Sequence, residues 1–449
     1  MPLISVAQSY ELPEHTSFKM PNGLTVYLME QSDVPVISVS VTLPGGAIYD
    51  GDQGGLASLT ASALKHGTQN YTKSELDENL DFVGASLNTY AGKETAGLSA
   101  KFASKDQEEV LKLIKEVILN PAFEVEEFKK EKKRVLVSLE KEKESPRSVI
   151  GDFFNKMLYG DHVYGNKTKG FKSTVSTLTI DDVKDFYKAH YLPNNAAISI
   201  VGDFSTKAMQ KKISKLFAHW KAGEISEDLS KQLIPKPKET RVLLVNKGDA
   251  KETTFYVGSR GISRNNPDYV AIEVINTLFG GRFTSMLNDE LRVNSGLTYG
   301  AGSKFRTYKY GGSFNISTFT ATETTEAAID KTLDVLDKLL KSGIDEESLI
   351  SAKNYVKGSF PTDYETTTQL ADLLTDMFWF DFDQSFINNF EKNVDALTLK
   401  KANQIIKEYF PAKHLQFVLI GKSEVIKTIA KKYGKLIEVD IKSEPVSAY

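Results

Sequence analysis

The sequence predicts an α+β protein made of two homologous α/β domains, each a sheet backed by helices. The 449 residues exceed what one ordinary hydrophobic core supports, so at least two domains are expected. Apolar runs with strand-like alternation are interspersed with amphipathic helical runs along the chain. The order of these elements in the first half recurs in the second half about 218 residues later. These observations indicate a duplicated fold with one sheet in each half.

The repeat is clearest where each half ends. Residues 178–202 predict a helix, a stop at Pro193 and a buried apolar strand that ends in glycine. Residues 397–421 predict the same succession, with Pro411 in the corresponding place. The two halves also begin alike, with a strand, a turn and a helix. These strands are residues 36–43 and 254–259, and the helices that follow start at Leu56 and at Tyr269.

Further elements are predicted inside the halves. Residues 111–118 carry a helical apolar stripe, and residues 135–144 continue a very polar helix that stops near Pro146. Residues 313–320 alternate as a β-strand does. We therefore assign residues 1–222 and 241–449 to the two domains.

Residues 223–240 are predicted to be the linker between the domains. The segment contains Pro235, Pro237 and many charges, which is the composition of an exposed interdomain connection. The alternative is a long loop inside a single domain. The linker is preferred because the repeat boundary falls at the same place.

Composition excludes several classes of protein. Hydrophobic residues make up 41% and charged residues 26%, as in ordinary globular proteins, and the net charge of -3 argues against a nucleic-acid surface or a polybasic membrane footprint. The absence of cysteine excludes disulfides, thiolate metal ligands and a cysteine nucleophile. No apolar run approaches the roughly 20 residues that span a bilayer. The compartment stays open: Ser5-Val6-Ala7 is similar to the end of a signal peptide, so we expect a periplasmic protein if a signal has been removed and a cytoplasmic one otherwise.

The histidines do not form a metal motif. A helix-borne zinc site needs ligands at i and i+4, and no two of the histidines are that close. Each is interpreted as a surface or capping residue. The six are His15, His66, His162, His190, His219 and His414.

Residues 55–68, GLASLTASALKHGT, resemble the helix that carries the inverted zinc motif H-x-x-E-H in the insulinase/pitrilysin family of metallopeptidases. The glycine and alanine before the motif and the closing Gly-Thr match. The chemistry does not match. Ser58 stands at the first histidine position, Ala61 at the position of the general-base glutamate and Ser62 at the second histidine position.

The third zinc ligand of that family is also missing. The family places a glutamate about 75 residues further on, before an acidic-x-Pro turn, which is Glu144-Ser145-Pro146 here. The ligand position falls on Val137 or Ser138. Without ligands there is no activated water, and loss of the general base alone costs roughly 10²–10⁴-fold in rate. The resemblance therefore implies that this chain binds no metal and is inactive on its own.

Two other family elements are retained. Residues 88–94, NTYAGKE, are similar to a segment that carries a second glutamate near the zinc, and Glu94 is either a remnant of that site or an ordinary surface carboxylate. Residues 291–299, LRVNSGLTY, are similar to the element Leu-Arg-x-x-x-Gly-Leu-x-Tyr. In the family its arginine and tyrosine reach the active site and hold the substrate backbone. Arg292 and Tyr299 occupy those positions, and the alternative is a structural salt bridge and a core tyrosine.

The resemblance covers residues 24–421 and implies half of a clam-shell. It is closest to the non-catalytic subunit of bacterial heterodimeric zinc proteases, which are related to mitochondrial processing peptidase. Gly280-Gly281 does not match the long glycine-rich loop of the latter. We expect a homologous zinc-bearing partner, a peptide or unfolded-protein substrate, and zinc on the partner alone. The alternative is a structural or peptide-binding scaffold derived from the same fold.

Overall fold

The computed structural model describes residues 10–445, so the Ser5-Val6-Ala7 stretch lies outside the described residues. The strands of this part are β1 Thr16–Lys19, β2 Thr25–Glu30, β3 Val36–Pro44, β4 Ser86–Ala91, β5 Thr95–Ala103, β6 Ala197–Gly202, β7 Arg241–Asn246, β8 Glu252–Arg260, β9 Ala301–Thr307, β10 Gly312–Ala321, β11 Gln416–Gly421 and β12 Lys435–Asp440. The α-helices of the first half are α1 Leu56–Ala63, α2 Lys73–Phe82, α3 Gln107–Leu119, α4 Val125–Glu142, α5 Pro146–Tyr159, α6 Lys172–Thr177, α7 Ile180–His190 and α8 Thr206–Phe217. Those of the second half are α9 Tyr269–Asn276, α10 Met286–Asn288, α11 Thr325–Ser342, α12 Glu346–Ser359, α13 Thr367–Phe380, α14 Gln384–Asn388, α15 Phe390–Ala396, α16 Leu399–Tyr409 and α17 Ser423–Ala430.

The strands form two separate six-stranded sheets, one in each half. Their orders are β1-β2-β6-β3-β5-β4 and β12-β7-β11-β8-β10-β9. Five strands correspond between the sheets, and the parallel pair β2–β6 has its counterpart in β7–β11. The sixth strand differs, because β1 pairs antiparallel with β2 whereas β12 pairs parallel with β7. The prediction of two homologous α/β halves is confirmed.

Strand β3 shows how the sequence builds a sheet with two buried faces. Its apolar residues, such as Val39 and Val41, alternate with Ser38 and Ser40 and pack into the core of the first half. The alternation places the serines on the opposite face. That face is buried as well, so another element must cover it.

Each sheet is covered on one face by a helix from the other half. Helix α13 of the second half lies on β3 and β6, where the hydroxyl oxygens of Ser38 and Thr367 are 2.8 Å apart and Ser199 Oγ donates to the Ala371 carbonyl (2.6 Å). Helix α5 of the first half lies on β8 and β11, and its Phe154 ring packs edge-on against another ring in β8. The first of these contacts is rich in hydroxyl groups, and the second is mostly apolar.

The predicted linker runs between α8 and β7 and is exposed for most of its length. One residue is an exception, because Ile234 is buried against α5 and the second sheet. Its carbonyl accepts a hydrogen bond from the Arg260 guanidinium at 2.9 Å. In residues 10–445, no helix is both long and apolar enough to cross a membrane.

Candidate functional site

Helix α1 begins where the zinc-motif resemblance places it. Gly55 precedes it with φ of +96°, and a Cβ there would lie 2.7 Å from the Lys169 carbonyl oxygen, so only glycine fits. The two carboxylate oxygens of Asp50 accept hydrogen bonds from the backbone N–H groups of Gly55 and Ala57, both at 2.8 Å. Burial raises the pKa of Asp50 to about 7, while these two backbone donors oppose the shift. These hydrogen bonds to Asp50 therefore fix the start of α1, the helix that corresponds to the zinc-motif helix of the family.

The residues at the zinc-motif positions cannot hold the metal. Ala61 is buried, and Ser62 donates its hydroxyl to the Ser58 carbonyl at 3.0 Å, one turn back along the helix. Helix α4 packs against α1, but its Val137 is 60% exposed and is an alkyl side chain. Zinc is bound in proteins by thiolate, imidazole or carboxylate groups, and these positions offer none. Within the described part of the chain, no three or more His, Cys, Asp or Glu side chains are grouped to hold a metal ion.

Glu94 lies between the two halves and is not a surface carboxylate, because only 5% of it is exposed. Its oxygens accept hydrogen bonds from the Tyr164 hydroxyl (2.6 Å), the Lys309 backbone N–H (3.0 Å) and the Trp379 indole N–H (3.3 Å). Burial raises the pKa of Glu94, and these donors oppose the shift. Lys309 and Trp379 belong to the second half, so the carboxylate joins the β4–β5 turn to the β9–β10 turn and to α13.

The interpretation of every histidine as a surface or capping residue is wrong for His66, which is 7% exposed and whose Nδ1 has no hydrogen-bond partner among the described residues. His162 is also buried, but it does cap, since its Nδ1 accepts from the Tyr164 N–H at 3.2 Å. A lone histidine in a sequence carries no signal that separates these environments.

Arg292 lies in a π-helical turn, Asp289–Asn294. Such turns are rare and are often found at functional sites. Gly296, two residues after the end of this turn, adopts φ of +62°, a conformation that glycine favours just beyond helix ends. The Leu297 N–H then donates to the Leu291 carbonyl at 2.8 Å and closes the turn.

The loop after this turn is held by hydroxyl and amide groups. Thr318 Oγ1 donates to the Gly300 carbonyl at 2.9 Å, and Thr320 Oγ1 donates to the Leu297 carbonyl at 2.7 Å. The Ala301 N–H donates to the Asn288 side-chain oxygen at 2.9 Å. Tyr299 thus projects from a backbone that is fixed on both sides.

The structure brings Arg292 and Tyr299 together on one open cavity of about 700 Å³. Tyr299 is 83% exposed, and its ring stacks beside Phe319 with 6.5 Å between centroids and 25° between planes. The Arg292 guanidinium carbon lies 4.6 Å from the centroid of the Phe283 ring. Tyr299 is therefore not a core tyrosine, and Arg292 forms a cation–π contact at the surface.

Sequence reasoning missed two residues beside this pair. Phe319 lines the cavity, and the Arg147 guanidinium lies 3.6 Å from the centre of its ring and 3.5 Å from a carboxylate oxygen of Glu252. A signal for Phe319 was present, because it is an aromatic residue on the more polar face of the alternating segment 313–320. Arg147 comes from α5 of the first half, and no sequence pattern indicated that contact.

Two family models match the chain. The model of the insulinase family, peptidase family M16, matches residues 25–170, and the model of the peptidase M16 inactive domain matches residues 177–356. The two matches cover the zinc-motif helix and the Arg292–Tyr299 loop, respectively.

Curated relatives align over most of the chain. An uncharacterized zinc protease of Rickettsia felis is 26% identical over 76% of this chain and 82% of its own length. The non-peptidase homolog YmxG of Helicobacter pylori is 24% identical over 90% of this chain and 95% of its own length.

Solved structures share the fold. The peptidase M16 inactive domain of Pseudomonas fluorescens superposes with a TM-score of 0.86 at 24% identity and covers 91% of this chain and 98% of that one. A protease from Helicobacter pylori gives a TM-score of 0.84 at 22% identity, over 91% of this chain and all of that one. The residues that flank the zinc motif, the two similar sheets, the family models and the relatives all point to the same family. This chain belongs to the M16, or insulinase, family of peptidases.

Proposed function

We propose that this chain is the zinc-free subunit of a heterodimeric metalloendopeptidase, which binds peptide substrate and assists its hydrolysis at the zinc site of a homologous partner. One observation carries the proposal: Arg292 and Tyr299 line one open cavity in a chain whose zinc-motif helix offers no ligand. This chain accordingly binds no metal itself, and the partner supplies both the zinc and the general base.

The chemistry of the pair suits peptide hydrolysis. A guanidinium has five N–H donors and a phenol has one O–H donor, and both can be directed at a peptide carbonyl oxygen. Negative charge grows on that oxygen as the tetrahedral intermediate forms, so fixed donors stabilise the transition state more than the substrate. The hydrogen bonds of Thr318, Thr320 and Asn288 hold the loop in advance, and this lowers the cost of ordering it on binding.

The names of the relatives point both ways on independent catalysis, and one of them supports a role without it. The Helicobacter pylori relative is named a non-peptidase homolog, whereas the Rickettsia felis relative is named a zinc protease. The second candidate is a scaffold without a part in turnover. The stacking of Arg292 on Phe283 favours it, because a guanidinium used in packing has less freedom to reach a substrate.

The test is reconstitution with a homologue that carries intact H-x-x-E-H, followed by Arg292→Ala and Tyr299→Phe in this chain. Removing one transition-state donor typically lowers turnover by about 10²–10³-fold. We expect a loss of that size in kcat, with a smaller change in KM. Assembly, thermal stability and zinc content of the partner should stay unchanged.

The chain offers a matched control pair. Arg282 lies 5.7 Å from the ring of half-exposed Tyr355, and neither residue lines the cavity of Arg292 and Tyr299. Arg282→Ala and Tyr355→Phe should keep full turnover. Full activity in Arg292→Ala and Tyr299→Phe as well would leave only the scaffold.

A further inference from the structure

The direction of the Tyr299 side chain is set by few contacts. The residue is 83% exposed, and its hydroxyl makes no hydrogen bond within residues 10–445. An exposed side chain without a hydrogen bond can rotate between staggered conformations. A phenol assists hydrolysis only when its O–H donor points at the reacting carbonyl, so a neighbouring group must favour one conformation. The Phe319 ring, which stacks beside Tyr299 with 6.5 Å between centroids, is such a neighbour.

Three consecutive residues of β10 contact the segment that carries Tyr299. The hydroxyls of Thr318 and Thr320 hold its backbone, because they donate to two loop carbonyl oxygens at 2.9 and 2.7 Å. Phe319 lies between these threonines, and the alternation of a strand turns its side chain to the opposite face. The strand therefore fixes the backbone of the loop with two side chains and meets the ring of Tyr299 with the third.

Phe319 is itself held by a residue of the first half. Arg147, in the first turn of α5, places its guanidinium carbon 3.6 Å from the centre of the Phe319 ring. A cation at this distance from a ring centre is attracted to the ring. A carboxylate oxygen of Glu252, in β8, lies 3.5 Å from the guanidinium and holds it from the other side of the contact. A continuous row of contacts thus leads from α5 to Tyr299.

This row of contacts contributes little to the stability of the fold. The side chains of Arg147 and Glu252 are 57% and 51% exposed, and ion pairs with that exposure are weak. Phe319 is only half-buried and lines the Arg292–Tyr299 cavity. An exposed arginine on a half-buried ring at the edge of this cavity is better placed to restrict the neighbouring phenol than to stabilise a core.

We propose that Phe319 is a positioning residue, which fixes the direction of the Tyr299 hydroxyl, and that Arg147 of the first half holds Phe319 for this task. The inference rests on the proposed function and adds a means of control to it. The orientation of Tyr299, a residue of the second half, depends on where α5 of the first half lies.

The first test uses the isolated chain labelled with 3-fluorotyrosine. The ¹⁹F signal of Tyr299 is assigned by its absence in Tyr299→Phe, and the signal of half-exposed Tyr355 is assigned in the same way as an internal control. Phe319→Leu removes the ring, so the Tyr299 signal should shift and become sharper as the phenol gains freedom. Arg147→Ala should cause a smaller change in the same direction. The Tyr355 signal should stay where it is in both variants.

The second test uses the reconstituted complex and one quenched fluorescent peptide, chosen from a library because the wild-type complex cleaves it. The interaction of an aromatic pair corresponds to roughly a 2- to 10-fold preference for one arrangement. We therefore expect Phe319→Leu to lower kcat by about that factor with KM unchanged. Phe319→Tyr keeps the ring and should restore kcat. Arg147→Ala changes an exposed residue, so it also serves if Phe319→Leu does not fold.

Two double variants separate positioning from a general structural role. In the Tyr299→Phe background, Phe319→Leu should lower kcat no further, because no hydroxyl is left to direct. In the Phe319→Leu background, Arg147→Ala should add nothing, because Arg147 acts through that ring. Phe382→Leu is the matched control and should keep full kcat, since Phe382 is also half-buried under an arginine, at 4.9 Å, but does not line the Arg292–Tyr299 cavity.

The positioning role and the proposed function can fail separately. An unchanged Tyr299 signal in Phe319→Leu, or an unchanged kcat while Tyr299→Phe loses turnover, would overturn the positioning role and leave the proposed function intact. A loss of kcat in Phe319→Leu that persists in the Tyr299→Phe background would overturn it as well. If Tyr299→Phe keeps full turnover but Phe319→Leu still shifts the Tyr299 signal, the proposed function falls and the contact stands.

Discussion

Replacing Glu94 by alanine should destabilise the folded protein by about 2–6 kcal/mol. The carboxylate accepts hydrogen bonds from Tyr164, Lys309 and Trp379, and the Lys309 and Trp379 N–H groups would each lose their acceptor at a cost of about 1–3 kcal/mol. Glu94→Gln should cost less, because one acceptor oxygen remains. It should still cost something, because the Lys309 N–H contacts both oxygens (3.0 and 3.1 Å) and would meet the new NH2 group.

The assay is urea denaturation followed by tryptophan fluorescence, since Trp379 is itself one of the donors. Glu224→Ala is the control, because that carboxylate is exposed in the linker, and a change there should stay within about 0.5 kcal/mol. If Glu94→Ala unfolds at the same urea concentration as Glu224→Ala, the carboxylate does not hold the two halves together. The loss should appear with no partner present, which separates it from the predictions on turnover.

Three further predictions can be checked on the isolated chain. The chain purified without chelators should contain far less than one zinc per molecule by mass spectrometry. One tightly bound zinc would contradict the conclusion that the residues at the motif positions cannot hold the metal. Burial lowers the pKa of His190, which packs on Tyr49 and Phe186, to about 4. The unfolded chain therefore binds the extra proton first, and about 2–3 kcal/mol of stability should be lost as pH falls from 6.5 to 4. His190→Phe should reduce that loss, and equal acid sensitivity of both proteins would refute the assignment. Gly280→Ala should lower the stability of the folded protein by about 1–3 kcal/mol, because its Cβ would lie 2.4 Å from the Ser303 backbone nitrogen. Gly151→Ala is the control and should be neutral or stabilising, because its Cβ would meet nothing within 4 Å. Thermal melts of both variants check this prediction.

Periodicity predicted several of the regular elements, because the pattern of burial within one element is local. The strand expected at residues 36–43 is Val36–Pro44, and the helix expected from Tyr269 is Tyr269–Asn276. Periodicity could not predict that α13 covers the first sheet and that α5 covers the second. In β3, Ser38 and Ser40 alternate with apolar residues as on a solvated face, and only a helix some 330 residues away buries them.

The candidate site also has a part that sequence motifs located and a part that depends on contacts between distant residues. Arg292 and Tyr299 were found because a resemblance places them in one short segment, and the structure shows that both line one cavity. Their roles stay predictions. Glu94 was found in sequence, but its environment was not, because its partners are 70 to 285 residues away. Phe319 and Arg147 were missed since neither lies in a motif and their contact joins different halves.

The covering of each sheet by a helix from the other half has a consequence for synthesis on the ribosome. The first sheet is complete once β6 has been made, but α13 follows roughly 180 residues later, a delay of about 10–40 s at ordinary elongation rates. During that time the face later covered by α13 meets water, and its serine hydroxyls can hydrogen-bond there. Helix α5 waits even longer for β11, and its buried face is apolar, with Phe153 and Phe154. The nascent chain should therefore expose a polar sheet face that does not promote aggregation and an apolar face of α5 that does. Chaperones that bind apolar segments should contact the nascent chain at α5.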